Sequence, residues 1–231
     1  MQSLSPVITI DGPGGSGKGT VGQRIAWRFG WEFLDSGALY RLVGLAAQKK
    51  SLDFNDAEVI SDLARHLDVQ FAVQEGEQGA EGITLLEDED VTSQIRTENC
   101  AQAASIVAQI PDVRAALLER QRAFRVLPGL VADGRDMGTV VFSNAQLKIF
   151  LTASAEIRAE RRFKQLKGKG GDVSLSAILA EIKERDDRDM NRSVSPLVAA
   201  EDAIVLDTSM MSVDDVEKEV LRLAKQIFLL E

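Results

Sequence analysis

The sequence of 231 residues contains one cysteine, Cys100, and one histidine, His66. A single cysteine excludes a framework of internal disulfides and is typical of a reducing compartment, so we expect Cys100 to be a small packing residue. His66 lies in a short helical pattern and is expected at the surface, which disfavours catalysis by histidine. The sequence also lacks an apolar run of about 20 residues and a signal-peptide pattern at its start. We therefore expect a cytoplasmic chain with no membrane partner.

An excess of positive charge is missing as well, since the formal net charge is −9. A polymeric nucleic acid needs a broad basic surface, so we expect no such partner. The basic residues are nevertheless concentrated in two clusters. This favours a small polyanion as ligand, although a solvated helix face explains the first cluster equally well. The first cluster comprises Arg158, Arg161, Arg162, Lys164, Lys167 and Lys169, and the second comprises Arg185, Arg188 and Arg192.

A glycine-dense loop follows the apolar run 7–10 and precedes a helical pattern over 21–29. Between a strand and a helix, such a loop turns successive backbone N–H groups toward one anion. The positive end of the helix dipole and a lysine side chain add to the attraction. We therefore predict a phosphate-binding loop, formed by Gly12, Pro13, Gly14, Gly15, Ser16, Gly17, Lys18, Gly19 and Thr20.

The same loop fits two other interpretations. Its glycines satisfy the dinucleotide pattern G-x-G-x-x-G, and Asp35 stands about where a ribose-binding acid would be. A purely structural glycine turn is the third interpretation. Lys18 favours the phosphate loop because it completes the spacing G-x-x-x-x-G-K. Gly19 stands where that pattern has serine or threonine, and the hydroxyl comes one residue later, on Thr20.

Five short apolar runs predict strands, and helical patterns lie between them. Most of these runs are continuous rather than alternating, which is typical of strands covered on both faces. We therefore predict an α/β fold with a five-stranded, mainly parallel sheet and helices on both faces. Polar clusters follow four of the strands, so the carboxyl ends of the strands mark the edge at which a ligand binds. The predicted strands are 7–10, 32–34, 130–132, 147–151 and 203–206.

The stretch 65–128 does not follow this alternation, so we predict that it is an inserted subdomain. Two strand patterns, 68–73 and 83–87, are joined by a turn rich in glycine and glutamate and are followed by helical material over 100–124. We expect the acidic run 87–90 to be a solvated hairpin end. Metal binding there is a weaker alternative, because no further ligands are spaced around it.

The remaining residues, 1–64 and 129–231, would then form the core domain. Within the core, glycines at 168, 170 and 171 break the first basic cluster. They suggest a mobile flap, so we predict a lid over about 155–175.

The pattern over 178–192 begins as an amphipathic helix and ends as a charged one. Its apolar stripe, Ile178, Leu179 and Ile182, continues at helical spacing with charged residues. Charge that faces inward is costly unless it is paired. We therefore expect this face to contact a nucleotide, and the alternative is a ladder of internal salt bridges that includes Asp186. The charged residues on this face are Arg185, Arg188, Asp189 and Arg192.

Four motifs in this order resemble those of the bacterial cytidylate kinases, which are nucleoside monophosphate kinases of the P-loop type. The resemblance runs from about residue 5 to the end of the sequence. The Gly19 departure from the general P-loop pattern is usual among nucleoside monophosphate kinases. The motifs are Gly-x-x-Gly-x-Gly-Lys-Gly-Thr from Gly12, Asp35-Ser36-Gly37-Ala38-Leu39-Tyr40-Arg41, Asp133-Gly134-Arg135-Asp136-Met137-Gly138-Thr139, and Arg185-Asp186-x-x-Asp189-x-x-Arg192.

The resemblance implies a kinase that uses ATP and Mg²⁺ to phosphorylate CMP or dCMP, with the loop binding the ATP phosphates. It also implies roles for residues outside the loop. Ser36, Arg114, Asp136 and Arg192 would bind the pyrimidine, Ser105, Arg185 and Asp189 the ribose, and Arg41 and Arg135 the acceptor phosphate. The implied catalytic residues are Lys18, Arg41, Arg135 and Arg192, together with Arg158 and Arg162 from the lid.

Such a reaction needs charge neutralisation and in-line positioning rather than a general base, because the attacking phosphate is already anionic. A P-loop kinase with another acceptor, such as AMP, UMP, shikimate or dephospho-coenzyme A, is the main alternative. A GTPase-type switch is disfavoured because no Asn-Lys-x-Asp motif is present. A dinucleotide-dependent oxidoreductase is the most distant alternative. We expect the protein to be a monomer.

Overall fold

A computed structural model describes residues 5–76, 79–167, 174–192 and 194–229 of the chain. Its main sheet has five parallel strands in the order β2-β6-β1-β7-β8, with helices around it, so the predicted α/β fold is confirmed. Every residue of β1 and β6 is buried, as expected for strands covered on both faces. The strands of this sheet are β1 (Val7–Asp11), β2 (Glu32–Asp35), β6 (Leu130–Gly134), β7 (Leu147–Thr152) and β8 (Ile204–Asp207).

The chain divides into two compact units. The hairpin unit comprises Ala26–Ala132 with the residues before Val7, and the phosphate-loop unit comprises Val7–Ile25 and Asp133–Glu231. The helices are α1 (Lys18–Phe29), α2 (Ser36–Lys49), α3 (Ala57–Arg65), α4 (Glu98–Val107), α5 (Pro111–Ala123), α6 (Ala155–Lys167), α7 (Leu175–Met190) and α8 (Val213–Phe228).

The hairpin unit contains a second, antiparallel sheet of three strands, β3 (Val69–Gly76), β4 (Gly79–Leu86) and β5 (Glu89–Asp90). The prediction of strand ends at 73 and 83 is wrong, because the ladder continues until Gly76 faces Gly79. The intervening residues, 77–78, lie outside the described part of the chain. Cross-strand backbone hydrogen bonds carry the pairing through a polar sequence in which the hydrophobic pattern has already ended.

The acidic run 87–90 is exposed, as predicted, but it is more structured than a simple hairpin end. Glu87 and Asp88 have φ values of 51° and 63°, which form the tight turn into β5. Lysines at the end of α2 neutralise part of this charge, since Lys50 Nζ lies 2.8 Å from Glu87 Oε1 and Lys49 Nζ lies 2.5 Å from Glu89 Oε2. These ion pairs give the run a structural role within its own unit.

In the phosphate-loop unit, α8 packs against β7, and α6 packs against α7. β7 pairs in parallel with β1, where Ile8 lies opposite Leu147, and with β8, where Leu151 lies opposite Leu206. Parallel pairing brings the carboxyl ends of these strands to the same edge. The loop that follows β1 and the residues that follow β8 therefore lie at that edge.

The single cysteine and the single histidine lie where the sequence predicted, one buried and the other at the surface. Cys100 is buried, and its thiol donates to the carbonyl oxygen of Arg41 at 3.2 Å. Burial raises the pKa of this thiol. The side chain of His66 is 71% exposed, at the end of α3. Within the described ranges, each helix is too short or too polar to serve as a membrane span.

Candidate active site

The glycine loop connects the end of β1 to Lys18, where α1 begins. Three of its glycines have positive φ values, namely 150° at Gly12, 81° at Gly15 and 95° at Gly17. Side-chain-bearing residues rarely adopt such values. Gly12 is also required by space, because a Cβ there would lie 2.1 Å from the carbonyl oxygen of Leu151 on β7. The loop can therefore pass directly against β7 only with glycine at this position.

Lys18 is buried in the described structure and turned back onto the loop. Its Nζ donates to the carbonyl oxygen of Pro13 at 3.3 Å and lies 3.8 Å from Asp133 Oδ1 at the end of β6. Both the Lys18 and Asp133 side chains are at least 90% buried. The carboxylate holds the ammonium beside the loop, where a phosphate group would meet it.

Gly19 makes room for the Asp133 carboxylate. A Cβ at position 19 would lie 3.1 Å from Asp133 Oδ2, so a serine or threonine there would press on this oxygen. The hydroxyl of the general P-loop pattern is instead carried by Thr20, which is exposed in the first turn of α1. The space at position 19 therefore favours glycine over serine or threonine.

The oxygen atoms of Asp133 and Thr20 are suitable neighbours for a hard cation such as Mg²⁺. Among the described residues, no group of three or more carboxylate, imidazole or thiol side chains could hold a metal ion alone. A Mg²⁺ ion at this loop would therefore take most of its ligands from nucleotide phosphates and water, which is the usual arrangement for this ion.

Asp11, the last residue of β1, organises the segment that follows β6. Its carboxylate accepts hydrogen bonds from the backbone N–H groups of Met137 at 2.9 Å and Gly138 at 2.7 Å. Burial raises the pKa of Asp11 to about 6, even though these two hydrogen bonds and nearby Lys18 act to lower it. Asp11 thereby fixes the turn that carries Arg135 and Asp136. Asp11 directly follows the predicted strand 7–10, and the sequence alone did not assign it this role.

We expect Asp11→Asn to change the pH dependence of stability. The ordinary pKa of this carboxyl is 3.8 and its native pKa is about 6, so the native chain binds the proton more tightly than the unfolded chain. The resulting stabilisation is complete below pH 3.8 and is lost as the pH rises through about 6. Its size is on the order of 3 kcal/mol.

The measurement is urea denaturation of both proteins across this pH range. The free energy of unfolding of the unsubstituted chain should fall relative to that of Asp11→Asn as the pH rises. The comparison removes the contributions of other titrating groups. Parallel curves for the two proteins would show that Asp11 does not titrate in this way.

Arg135, Asp189 and Arg192 form a cluster at the end of α7. Arg135 Nε donates to Asp189 Oδ2 at 2.9 Å, and Arg192 Nη2 lies 3.8 Å from Asp189 Oδ1. Burial acts to raise the pKa of Asp189, but the Arg135 and Arg192 guanidinium groups hold it below its ordinary value. Arg192 Nη2 is buried and makes no hydrogen bond to any residue that the structure describes. A buried guanidinium donor without a hydrogen bond could donate to an acceptor atom of a bound ligand.

Two arginines stand beside the glycine loop. A Cβ placed on Gly14 would lie 3.6 Å from Arg135 Nη2 and 3.8 Å from Arg185 Nη1. Both guanidinium groups belong to the motifs for which the sequence predicted acceptor contacts. The fold therefore brings these motifs next to the loop within the phosphate-loop unit.

The four residues predicted to share the charged face at the end of α7 have different surroundings. Asp189 and Arg192 are partly buried, Arg185 stands beside Gly14, and Arg188 faces solvent. The Arg188 side chain is 59% exposed and lies 3.9 Å from Glu184. The alternative of an internal ladder is present in part, since Asp189 lies 3.8 Å from Arg192, but Asp186 pairs with Arg158 on α6 and Asp189 also pairs with Arg135. Helical periodicity could not distinguish Arg188 from the other charged residues of this face. It predicts the direction in which a side chain points but not the groups that the side chain contacts.

The first basic cluster divides into buried and exposed members. Arg158 is 4% exposed and hydrogen-bonds to Gly14 and Asp186, and Arg161 hydrogen-bonds to Thr208. Arg162 is exposed and donates to Gln165 at 3.0 Å. Lys169 and the glycines at 168, 170 and 171 lie outside the described residues. The predicted flap at these glycines thus falls on a segment that the structure does not describe.

The remaining predicted residues lie in the hairpin unit. Ser36 is buried at the start of α2, where Asp35 accepts from the N–H of Ala38 at 3.0 Å. Arg41 Nη1 donates to the carbonyl oxygen of Ile95 at 2.7 Å. The Arg114 guanidinium lies 5.9 Å from the ring centre of Tyr40. Ser105 belongs to α4, but its side chain lies outside the described part.

The glycine loop at the start of α1, the parallel sheet and the buried lysine define an α/β phosphate-binding protein of the P-loop class. Comparison with known proteins refines this class. Residues 8–226 match the family described as cytidylate kinase. The chain therefore belongs to the cytidylate kinase family, as its four sequence motifs predicted.

Individual relatives agree with this assignment. The chain is 57% identical to a cytidylate kinase of Shewanella frigidimarina (strain NCIMB 400), with 98% of each chain covered. It is 56% identical to a cytidylate kinase of Pseudomonas aeruginosa (strain UCBPP-PA14), with 96% of each covered. The crystal structure of an uncharacterized protein from Eubacterium ventriosum (ATCC 27560) has a similar fold, with a TM-score of 0.51 and 12% identity over 96% of this chain and 99% of that one.

Proposed function

We propose that this protein transfers the γ-phosphoryl group of ATP to CMP or dCMP, giving ADP and CDP or dCDP. Membership of the cytidylate kinase family supports this activity. The structural observation that carries it is the position of Arg135 and Arg185 beside Gly14. Cations from the two acceptor motifs stand next to the loop that would bind the donor, which is what transfer between two phosphates requires.

The chemistry follows from the charges of the reacting groups. An oxygen of the CMP phosphate attacks the γ-phosphorus, a new P–O bond forms, and the bond to the β–γ bridging oxygen breaks to release ADP. The attacking oxygen is already anionic, so no side chain has to remove a proton. Lys18 and Arg135 supply fixed positive charge to the transferring group, and arginine suits this task because it stays charged.

The donor would be the Mg²⁺ complex of ATP. When bound, the cation would neutralise part of the phosphate charge. Asp133 and Thr20 are the residues of this chain that we assign to its water ligands, since both present oxygen atoms beside the loop. Lys18 Nζ, which donates to the carbonyl oxygen of Pro13 at 3.3 Å, would turn from this oxygen onto the outer phosphates.

The acceptor-side roles remain those that the resemblance implies. We propose that Arg41 and Arg135 bind the phosphate of CMP, and that Ser105, Arg185 and Asp189 bind the ribose. Arg162 and the segment of about 155–175 would act as the lid, 65–128 as the monophosphate-binding insert, and 1–64 with 129–231 as the core. The protein would act as a cytoplasmic monomer. The proposed pyrimidine contacts are Ser36, Arg114, Asp136 and Arg192.

The test is a coupled assay for ADP with ATP, Mg²⁺ and a panel of monophosphates, namely CMP, dCMP, UMP and AMP. CMP and dCMP should react with the highest kcat/KM. A higher value for AMP or UMP would refute the assigned specificity. The absence of ADP formation with every acceptor would refute the kinase assignment.

Asp136→Ala should reduce the preference for CMP over UMP. A carboxylate accepts a hydrogen bond from the N4 amino group of cytosine, whereas uracil presents an oxygen there and is repelled. We expect a fall in the ratio of kcat/KM for CMP to kcat/KM for UMP. The size of this fall should correspond to a free energy on the order of 1–3 kcal/mol. Both substrates are measured with the same enzyme, so a general loss of activity cancels. An unchanged ratio would place base recognition on another residue.

A further inference from the structure

Two carbonyl groups of the glycine loop are held by side chains from distant parts of the chain. Arg158 Nη1 donates to the carbonyl oxygen of Gly14 at 3.1 Å. Thr208 Oγ1 lies 3.2 Å from the carbonyl oxygen of Ser16. Both side chains lie in the same unit as the loop. Family membership and the sequence motifs assign no role to Thr208, and the role that they imply for Arg158 is that of a catalytic residue of the lid.

Arg158 is fixed on every side of its guanidinium group. Nε donates to the carbonyl oxygen of Ala153 at 2.9 Å, and Nη1 and Nη2 both bind the carboxylate of Asp186 on α7. Its side chain is 5% exposed and that of Asp186 is 14% exposed. The donors of this buried arginine are already paired with a carboxylate. They differ in this from the donors of a solvent-exposed arginine, which are available to a phosphate group.

Thr208 is fixed in a similar way. Arg161 Nη1 donates to Thr208 Oγ1 at 3.1 Å, and Arg161 Nη2 donates to the carbonyl oxygen of Thr208 at 2.5 Å. The hydroxyl accepts from the guanidinium, so its own proton points to the carbonyl oxygens of Ser16 and Thr152. Thr208 is 1% exposed, so water cannot replace these bonds.

Both carbonyl groups belong to the most easily rotated peptides of the loop. Gly15 follows the first with φ 81°, and Gly17 follows the second with φ 95°. Glycine tolerates rotation of the neighbouring peptide plane at little cost. In a trans peptide the C=O and the next N–H point in opposite directions. Fixing the Gly14 and Ser16 oxygens therefore fixes the N–H groups of Gly15 and Gly17 on the other side.

We propose that Arg158 with Asp186, and Thr208 with Arg161, are positioning residues that keep the N–H groups of Gly15 and Gly17 directed at the ATP phosphates. They act on the donor through the loop backbone and do not touch it. The proposal rests on the proposed function, because the anion it concerns is the triphosphate of that reaction. It places these residues on the donor side of the site.

The decisive variant is Asp186→Asn. If Arg158 were a direct phosphate ligand, weakening its bond to Asp186 would free it and leave ATP binding equal or tighter. If Arg158 positions the loop, the same change should weaken ATP binding and raise the KM for ATP about 10-fold, while the KM for CMP changes less than about 2-fold. Lys183→Gln is the matched control. It removes the exposed ion pair of 3.1 Å between Lys183 on α7 and Glu156 on α6 without touching the loop.

A second pair of variants tests the other bond. Thr208→Val keeps the shape of the side chain but removes the hydroxyl, and Thr208→Ser keeps the hydroxyl. We expect Thr208→Val to weaken ATP binding about 10-fold and Thr208→Ser to retain most of it. Equal affinities for the valine and serine variants would overturn the role of the Thr208 hydroxyl. Unchanged or tighter ATP binding in Asp186→Asn would overturn that of Arg158.

Isothermal titration of ATP into each protein gives the affinity without any acceptor or turnover. A failure of CMP phosphorylation by the unsubstituted enzyme would refute the proposed function and leave this comparison intact. Thermal unfolding identifies variants that fail to fold. If Asp186→Asn were unfolded, Arg158→Lys would replace it, because lysine keeps the charge and loses the forked contact to Asp186 and Gly14. An ATP affinity equal to that of the unsubstituted protein in Arg158→Lys would then overturn the proposal.

Discussion

Lys18→Met should lower kcat for CMP phosphorylation by about 10²–10³-fold, because the transferring phosphoryl group loses a fixed cation. Methionine has nearly the same length as the lysine stem, so the packing of this buried side chain is kept. The loss should fall mainly on kcat, since charge stabilisation is needed most when charge develops in the transition state. The measurement is steady-state kinetics with saturating ATP and CMP, together with circular dichroism.

The neighbouring carboxylate provides the control for Lys18→Met. The variant deprives Asp133 Oδ1 of an ammonium 3.8 Å away in a buried setting, which should cost stability. The double variant Lys18→Met/Asp133→Asn should recover stability, because a neutral amide tolerates burial better, and activity should stay low. A near-normal kcat in the single variant would refute the catalytic role of Lys18. Recovery of activity with stability in the double variant would show that the single variant acts through folding.

Gly12→Ala should have the largest effect on stability among single substitutions in the loop. The added Cβ would lie 2.1 Å from the carbonyl oxygen of Leu151, and φ at this residue is 150°, so both space and backbone conformation oppose it. Leu151 is fully buried, so the strand has little space in which to relieve the contact. We expect a loss of about 2–4 kcal/mol in the free energy of unfolding. ATP binding should be lost as well, because relief of the contact must displace the loop.

Gly14→Ala is the matched control for stability. A Cβ at position 14 would have as its nearest neighbour Arg135 Nη2, at 3.6 Å, which is an ordinary contact with a flexible side chain. Its free energy of unfolding should stay within about 1 kcal/mol of the unsubstituted protein. Urea denaturation of both variants gives the comparison. Equal stability of the two would show that the loop can move away from β7 without cost.

The sequence predicted much of the fold because the strands and their loops leave local signals. Continuous apolar runs marked all five strands of the main sheet to within two residues at each end. The hairpin was less accurate, since its ladder extends through polar residues to Gly76 and Gly79. Pairing with a neighbouring strand, which is not a local property, decides where such strands end.

The phosphate loop was predicted for a similar reason. Its glycines, Lys18 and the displaced hydroxyl of Thr20 are adjacent in the chain, and backbone geometry over nine residues suffices for their chemistry. The roles of Ser36, Arg114, Asp136 and the other acceptor-side residues are still predictions that the proposed kinetics will test. Arg188 shows the limit of periodicity, because helical spacing placed it on the charged face and the structure leaves it in solvent.

The sequence by itself determined the α/β fold, the phosphate loop and the family. Only the tertiary structure revealed the residues that hold the site in place. Asp11 contacts Gly138 across 127 positions, and Thr208 contacts Ser16 across 192. Such residues carry no local pattern, since a polar residue after a strand has many possible partners. Their roles depend on burial and hydrogen-bond geometry that exist only once the chain has folded, whereas the glycine loop contains its own chemistry.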